Sequence, residues 1–125
     1  MWGMIRKASS VLILDDDPRI CEELEEFLSR KGYRVFTNQL PSSAFLIMEK
    51  HNIEILFLDF ALPEMDGRQV LTQVKKKYPD TKVIMISGNL QKSVMMELID
   101  EGVIGCMKKP FLHKDVNEIL QKITN

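Results

Sequence analysis

Short apolar runs alternate along this chain with longer segments whose apolar residues recur every three or four positions. Three of the short runs are apolar at nearly every position: Val11–Leu14, Ile53–Leu58 and Lys82–Ile86. Runs that are apolar on both faces are typical of strands buried inside a parallel sheet. Two weaker runs, Arg34–Thr37 and Ile104–Met107, are interpreted as strands nearer the sheet edges.

Each predicted strand is followed by a segment with helical periodicity. At the start of the first helix, Asp17 supplies an N-cap and Pro18 a first-turn proline. Gly32 supplies the C-cap at its end. Gly102 ends the fourth helix, and the fifth is predicted over Asp115–Thr124. The apolar positions that define the five helices are Ile20, Leu24, Phe27 and Leu28; Ala44, Phe45 and Met48; Val70, Leu71 and Val74; Val94, Met95, Leu98 and Ile99; and Val116, Ile119, Leu120 and Ile123.

The alternation of strands and helices predicts an α/β fold. Five βα units favour a parallel sheet with helices on both faces and right-handed crossovers. Two strand orders compete, and five strands in 125 residues favour the flavodoxin-like order 2-1-3-4-5, a three-layer (βα)5 sandwich. The chain is 45% hydrophobic and 28% charged, which is typical of one globular domain. We assign residues 1–7 to an N-terminal lead and 8–125 to that domain.

Composition excludes several classes of function. The apolar runs are far shorter than the roughly 20 residues that span a bilayer, so we expect no membrane segment. The 17 basic and 18 acidic residues leave a net charge of −1, whereas nucleic-acid-binding domains are usually basic, so we expect no direct nucleic-acid contact. The two cysteines, Cys21 and Cys106, have neither paired nor metal spacing, which favours a reducing, cytoplasmic location.

Polar side chains stand directly after four of the predicted strands. Asp15 and Asp16 follow the first strand, Asp59 the third, Ser87 the fourth and Lys109 the fifth. Ligands of open α/β sheets bind beyond the carboxyl ends of the strands, so we expect these groups to converge. Taken singly, each has an ordinary interpretation as a turn residue or a loop charge.

The expected cluster has a definite chemistry. Carboxylates close together repel one another unless a cation lies among them, and a few hard oxygen ligands with room for water suit Mg²⁺. A lysine and a hydroxyl nearby can hold phosphoryl oxygens. A carboxylate within such a cluster can be the nucleophile that forms an aspartyl phosphate. Asp17, directly before Pro18, is interpreted as a helix cap instead of a ligand.

Four stretches carry these residues together: Val11–Pro18, Ile55–Gly67, Val83–Gly88 and Gly102–Phe111. In their combination the chain resembles the receiver domain of a response regulator. The resemblance runs from about Ala8 to the C-terminus. It implies a phosphoacceptor switch of a two-component phosphorelay, with a sensor histidine kinase or a histidine phosphotransfer protein as donor and an unknown effector as target.

The resemblance implies a role for each carboxylate. Asp59 matches the aspartate that accepts the phosphoryl group. Asp15 and Asp16 match the acidic pair, with Asp16 binding Mg²⁺ directly and Asp15 through water. The backbone carbonyl of Ala61 matches the third protein ligand of the metal. Such a domain catalyses only its own phosphorylation and dephosphorylation, so we do not expect an enzyme acting on other substrates.

The resemblance also implies how the domain switches, and here one residue departs from the family pattern. Ser87 matches the switch hydroxyl and Lys109 the invariant lysine, whose bond to Pro110 is expected to be cis. The family usually has an aromatic residue three positions before the lysine, where this chain has Cys106. We therefore expect the surface formed by the fourth helix, fifth strand and fifth helix to respond less to phosphorylation than in a relative that has the aromatic residue.

Two other classes of function remain open. One is an Mg²⁺-dependent aspartyl phosphohydrolase, which often has a general acid two residues after the nucleophile, where this chain has Ala61. The other is a phosphorylation-independent protein-binding module with a receiver-like fold. Cys106 favours that second alternative, and the complete set of Asp16, Asp59 and Lys109 argues against it.

Overall fold

The computed structural model describes residues 9–124 and contains five successive βα units. The assigned N-terminal lead, residues 1–7, and the last residue lie outside the described residues. The strands are β1 (Ser10–Leu14), β2 (Arg34–Asn38), β3 (Ile55–Asp59), β4 (Lys82–Ser87) and β5 (Val103–Lys108). The helices are α1 (Pro18–Arg30), α2 (Pro41–Lys50), α3 (Gly67–Lys77), α4 (Lys92–Asp100) and α5 (His113–Thr124).

The five strands form one parallel sheet in the order β2-β1-β3-β4-β5, which confirms the predicted flavodoxin-like topology. β2 and β5 are the edge strands, as their weaker apolar patterns indicated. The register pairs Leu14 with Leu58, Asp59 with Ile86, and Ser87 with Lys108. The carboxyl ends of four strands therefore lie level at one edge of the sheet.

Alternate residues of the central strands divide the core between the two faces of the sheet. Leu12 and Leu14 pack with residues of α2, α3 and α4, whereas Val11 and Ile13 pack with residues of α1 and α5. Every residue of β1 and β3 is buried. Burial on both faces explains why these strands are apolar without alternation. The result is the predicted three-layer sandwich.

Local sequence signals set most helix ends. The carboxylate of Asp17 accepts a hydrogen bond from the Arg19 backbone N–H at 2.9 Å, which confirms the predicted cap of α1. Gly32 and Gly102 have φ angles of 97° and 110°, which suits glycine at the ends of α1 and α4. None of the helices among residues 9–124 has the length and apolarity required to cross a membrane.

Most strand boundaries differ from the prediction by one residue, and two boundaries differ by two residues. β3 begins at Ile55 instead of Ile53, and the Ile53 carbonyl accepts a hydrogen bond from the Thr81 hydroxyl at 2.9 Å. α5 begins at His113 instead of Asp115. The Asp115 carboxylate reaches back to the Leu112 N–H at 2.7 Å, so Asp115 lies inside the first turn.

Candidate functional site

The predicted site residues converge at the carboxyl edge of the sheet. Asp15 follows β1 directly, Asp59 is the last residue of β3, and Ser87 is the last residue of β4. Lys109 follows β5 and reaches back over the sheet edge, where its ammonium group contacts both buried carboxylates. The expectation that separate strand ends assemble one cluster is met for the side chains of Asp15, Asp59 and Lys109.

Three carboxylates lie close together in this cluster. One oxygen from each of Asp15, Asp16 and Asp59 lies within 4.8 Å of the others. Asp15 is fully buried and Asp59 is 3% exposed, whereas Asp16 is exposed. Backbone N–H groups support the two buried carboxylates: Asp17 donates to Asp15 Oδ1 at 2.9 Å, and Ala61 donates to Asp59 Oδ1 at 3.2 Å. The cluster is thus buried in the protein at Asp15 and Asp59 and exposed to solvent at Asp16.

Lys109 is the cation that contacts both buried acids. Its Nζ lies 2.8 Å from Asp15 Oδ2 and 3.3 Å from Asp59 Oδ2. Burial by itself lowers the pKa of Lys109, but the carboxylates of Asp15 and Asp59 outweigh this effect and raise the pKa above its usual value. Lys109 therefore carries its positive charge at neutral pH.

The carboxyl group of Asp59 is held in an unfavourable environment for a negative charge. Burial raises its pKa, and repulsion by Asp15 raises it further, to about 6. Lys109 and the Ala61 N–H act in the opposite direction without cancelling these effects. Asp59 therefore ionises just below neutral pH and gains from any additional cation beside it.

The residues present fit a divalent metal ion. Asp15 Oδ2 is buried and accepts no hydrogen bond within residues 9–124, although Lys109 forms an ion pair with it. When ionised, the three clustered acids outnumber the single lysine, so the local charge is negative. Carboxylate oxygens open to water on one side are the donor set that Mg²⁺ prefers. Asp17 does not belong to this cluster, because its carboxylate caps α1.

Ser87 connects the β4 end to the lysine. The Ser87 side chain is nearly buried, and its Oγ accepts a hydrogen bond from the Asn89 N–H at 3.2 Å. The Ser87 carbonyl accepts the N–H of Lys109 at 2.9 Å, so the loops after β4 and β5 are joined. The Lys109–Pro110 peptide bond is cis, as expected.

Two residues that support the site were given no role from the sequence. A Cβ atom added at Gly67 would lie 2.5 Å from the Asp59 carbonyl oxygen, so only glycine allows α3 to start against the end of β3. The buried Cys21 thiol donates to the Asp15 carbonyl at 3.4 Å, and burial raises its pKa to about 11, so the thiol stays protonated. For Gly67, the available sequence signal was the Asp66–Gly67 pair at the start of an amphipathic helix.

The sequence matches the response regulator receiver domain family over residues 11–124. The chain belongs to this family. It is a signalling module of a two-component system, and its matched region includes every residue of the acidic cluster, Ser87 and Lys109.

Solved receiver domains have the same fold. A CheY-like receiver domain protein from Methanospirillum hungatei JF-1 superposes with a TM-score of 0.86 at 24% identity, covering 93% of each chain. Chemotaxis protein CheY4 of Vibrio cholerae gives a TM-score of 0.86 at 24% identity, covering 93% of this chain and 98% of CheY4. NtrX from Brucella abortus gives 0.85 at 26% identity, covering 92% of this chain but 26% of NtrX.

A curated relative is longer than this receiver domain. The transcriptional regulatory protein SrrA of Staphylococcus aureus is 28% identical over 109 residues, which cover 87% of this chain and 45% of SrrA. The chain therefore spans less than half the length of the curated relative that it matches.

Cys106 lies in β5, three residues before Lys109, at the position where the resemblance noted from the sequence implies an aromatic side chain. It is half-buried and packs against the core cluster below α4, together with Leu90 and Val94. Burial raises the pKa of its thiol. The smaller side chain at this position is thus incorporated into the core beside the loop that follows Ser87.

Proposed function

We propose that this receiver domain accepts a phosphoryl group on Asp59 from the phosphohistidine of a sensor histidine kinase or histidine phosphotransfer protein. The observation that carries the proposal is the environment of Asp59, which lies at the end of the central strand β3 with Lys109 Nζ 3.3 Å from Oδ2 and two further acids beside it. We place the reaction in the cytoplasm. A separate effector domain or protein would read the resulting change.

Mg²⁺ is the cofactor that the carboxylates support. Asp16, Asp59 and the Ala61 carbonyl would hold it directly, and Asp15 through water. When bound, the ion would neutralise charge on the phosphoryl oxygens. Its affinity is expected to be weak, roughly sub-millimolar to millimolar, because the ion keeps several waters.

The chain's own residues carry the transfer. The Asp59 carboxylate oxygen attacks phosphorus in line with the bond to the donor histidine; the P–O bond forms, and the P–N bond breaks with its electron pair on the imidazole. Lys109 donates to the phosphoryl oxygens and stabilises their charge, and the Ser87 hydroxyl then gains a partner. Hydrolysis of the acyl phosphate returns Asp59 to its carboxylate.

Phosphorylation replaces the single negative charge of the Asp59 carboxylate by the roughly two negative charges of the phosphoryl group. The ion pairs of Lys109 with Asp15 and Asp59 would then be redistributed, and the joined loops after β4 and β5 would shift between two populations. Since Cys106 has no ring to rotate, we propose that the conformational change spreads through the loop after Ser87, which contains Leu90, and through α4 near Met95 and Met96.

Phosphorylation by acetyl phosphate tests the acceptor. With Mg²⁺ present, borohydride trapping and peptide mass spectrometry should label Asp59, and Asp59→Asn should remove the label. Asp17→Asn is the matched control, because asparagine still caps α1 and the change removes a carboxylate next to the cluster. A full label in Asp59→Asn would exclude this acceptor. Turnover of p-nitrophenyl phosphate would instead support the phosphohydrolase.

Lys109→Ala tests the switch. We expect the variant to bind Mg²⁺, because it removes a positive charge from the metal site, but to lose most of the conformational response. NMR shifts on addition of beryllofluoride measure that response, with Lys108→Ala as the neighbouring, exposed control. Equal shifts in both variants would contradict this role of Lys109.

A further inference from the structure

The N-terminus of α2 lacks a cap of its own. The residue before the helix is Leu40, which makes no capping hydrogen bond, and no acidic residue lies in the first turn. The first helical residue is Pro41, which has no N–H, so the first amide that needs a partner is that of Ser42. Within the chain, an acceptor for this amide has to come from outside the helix.

Glu64 supplies that acceptor from the loop after β3. Its Oε1 accepts the Ser42 backbone N–H at 3.1 Å, and its Oε2 accepts the Ser42 hydroxyl at 3.1 Å. A carboxylate at this place also complements the positive end of the helix dipole. The contact joins the start of α2 to a loop residue only five positions after Asp59.

The backbone of Glu64 is strained. Its φ angle of 68° is the only positive value at a non-glycine residue within 9–124. This left-handed region is unfavourable for a residue with a Cβ atom, and such strain persists where surrounding contacts enforce it. The Glu64 carboxylate makes two hydrogen bonds, both to Ser42.

The other side of the α2 N-terminus is tied to the acidic pair. The Asp15 N–H donates to the Asn38 carbonyl at 3.1 Å. The Asn38 side-chain oxygen in turn accepts the N–H groups of the two following residues, the second of which is Leu40. Backbone and side-chain contacts thus run from Asp15 through the end of β2 and the start of α2 to Glu64.

We propose that Glu64 is a positioning residue for the metal side of the pocket. By holding the loop between Asp59 and Gly67 against the start of α2, its carboxylate keeps the Ala61 carbonyl in place to bind the ion. The strained backbone at Glu64 is the consequence of aiming that carboxylate at Ser42. This inference rests on the proposed function, because that function assigns the Ala61 carbonyl to Mg²⁺.

Three substitutions of Glu64 separate positioning from local strain. Glu64→Ala removes both acceptors, Glu64→Gly removes them and relieves the strained φ, and Glu64→Gln keeps one oxygen acceptor. Glu49→Gln is the matched control. Glu49 is an exposed acid near the C-terminal end of α2, and it pairs with Lys77. The readouts are backbone hydrogen exchange in the metal-free protein and Mg²⁺ titration by NMR.

In Glu64→Ala and Glu64→Gly we expect faster exchange at the Ser42 amide and across residues 60–66 without metal. Mg²⁺ binding should weaken roughly threefold to tenfold, since residues that orient a ligand affect metal affinity. Glu64→Gln should lie between these variants and the wild type, and Glu49→Gln should match the wild type.

Glu64→Gly gives the decisive comparison. If it were more stable than the wild type with unchanged loop exchange and unchanged Mg²⁺ affinity, Glu64 would be a strained surface residue only, and the proposal would be overturned. If the wild type bound no Mg²⁺, the proposed function and the metal role of Glu64 would both fail. The metal-free exchange comparison would then still decide whether Glu64 holds the loop.

Discussion

The fold buries carboxylate charges close together at the acidic cluster, which lowers the stability of the domain but creates a site that can bind a cation. Asp15 and Asp59 are buried with Lys109 as their shared cation, and the third acid, Asp16, adds negative charge beside them. Burial and repulsion by Asp15 raise the pKa of Asp59 to about 6. A strained charge of this kind is typical of binding and catalytic sites, where a ligand compensates it.

The pKa of Asp59 predicts how stability changes with pH in the metal-free protein. A carboxyl group whose pKa is higher in the folded state contributes its full stability below its unfolded pKa, and the contribution is lost as the pH rises through about 6. Between about pH 4 and pH 7 this group should remove roughly 2 to 3 kcal/mol from the free energy of unfolding.

Asp59→Asn measures that effect directly. Urea unfolding with a chelator present should show the variant to be more stable than the wild type at neutral pH, with a difference that vanishes near pH 4. Comparing the two proteins at each pH cancels the titration of the carboxylates that do not interact with Asp59. A difference that stayed constant across this range would contradict the raised pKa of Asp59.

At the scale of elements, α3 is seated directly on the end of β3. The Gly67 N–H donates to the Phe60 carbonyl at 2.7 Å, and Asp66 and Gln69 form a reciprocal capping box around the helix start. This packing brings the first turn of α3 against the backbone of Asp59. The position of Asp59 therefore depends on a helix start that admits no side chain.

Gly67→Ala should destabilise the domain by about 1 to 3 kcal/mol, because the added Cβ would lie 2.5 Å from the Asp59 carbonyl oxygen and 2.7 Å from the Phe60 Cα. Both clashing atoms belong to the backbone and cannot rotate away. Chemical unfolding measures the loss. Gly88→Ala is the control, because a Cβ there has its nearest neighbour 4.0 Å away. Equal effects of the two substitutions would rule out the clash.

α4 is attached to the rest of the domain more loosely than α3. Leu98 is its buried residue, and its N-cap Gln91 makes no capping hydrogen bond. Arg68 of α3 holds the C-terminal part of α4 by binding Glu101 through two side-chain nitrogens and Glu97 at 3.0 Å. These ion pairs raise the pKa of Arg68 further above its usual value. The helix is therefore anchored near its end, away from the loop after Ser87.

Arg68→Ala should make the backbone amides of α4 exchange several-fold faster, with little change in global stability because the ion pairs are solvent-exposed. Hydrogen exchange with mass spectrometry measures this. High salt should produce part of the same effect in the wild type. Arg30→Ala, which removes an exposed pair with Glu26 on α1, should leave α4 unchanged. Wild-type exchange rates for α4 in Arg68→Ala would refute the anchoring role.

At the scale of the whole molecule, the net charge of −1 conceals a local concentration of acids at one edge of the sheet. Because the sheet is parallel, every strand directs its carboxyl end to that edge, so a single site can draw on four strands at once. Binding of a cation there connects the local electrostatics to the stability of the entire domain.

Mg²⁺ should therefore raise the unfolding free energy. At about ten times its dissociation constant the gain should be roughly 1.4 kcal/mol, and it should be larger at neutral pH than near pH 5, since the ligands must be deprotonated. Thermal unfolding with and without Mg²⁺ measures the gain. Asp16→Asn should abolish most of it, and an equal gain in that variant would remove Asp16 from the metal site.

The sequence alone determined the order and type of the elements and the place of the main site residues. Strands buried on both faces, such as β1 and β3, carry an apolar run that helices do not share, and glycine and proline mark the helix ends. Once five parallel strands in the order 2-1-3-4-5 are recognised, Asp15, Asp59 and Lys109 are expected near one another, because parallel strands end at a common edge and this order makes their strands close neighbours. Local chemistry and topology were sufficient for this part.

Only the tertiary structure decided the contacts that join distant segments. Glu64 binds Ser42 across 22 positions, and Arg68 binds Glu101 across 33. The fit of Gly67 against Asp59 and the raised pKa of Asp59 likewise depend on how closely α3 and β1 approach β3. The periodicity of apolar residues in the sequence predicts which face of an element is buried. The contacts named here depend instead on the paths of the loops and the distances between helices, which the packing of the whole domain determines.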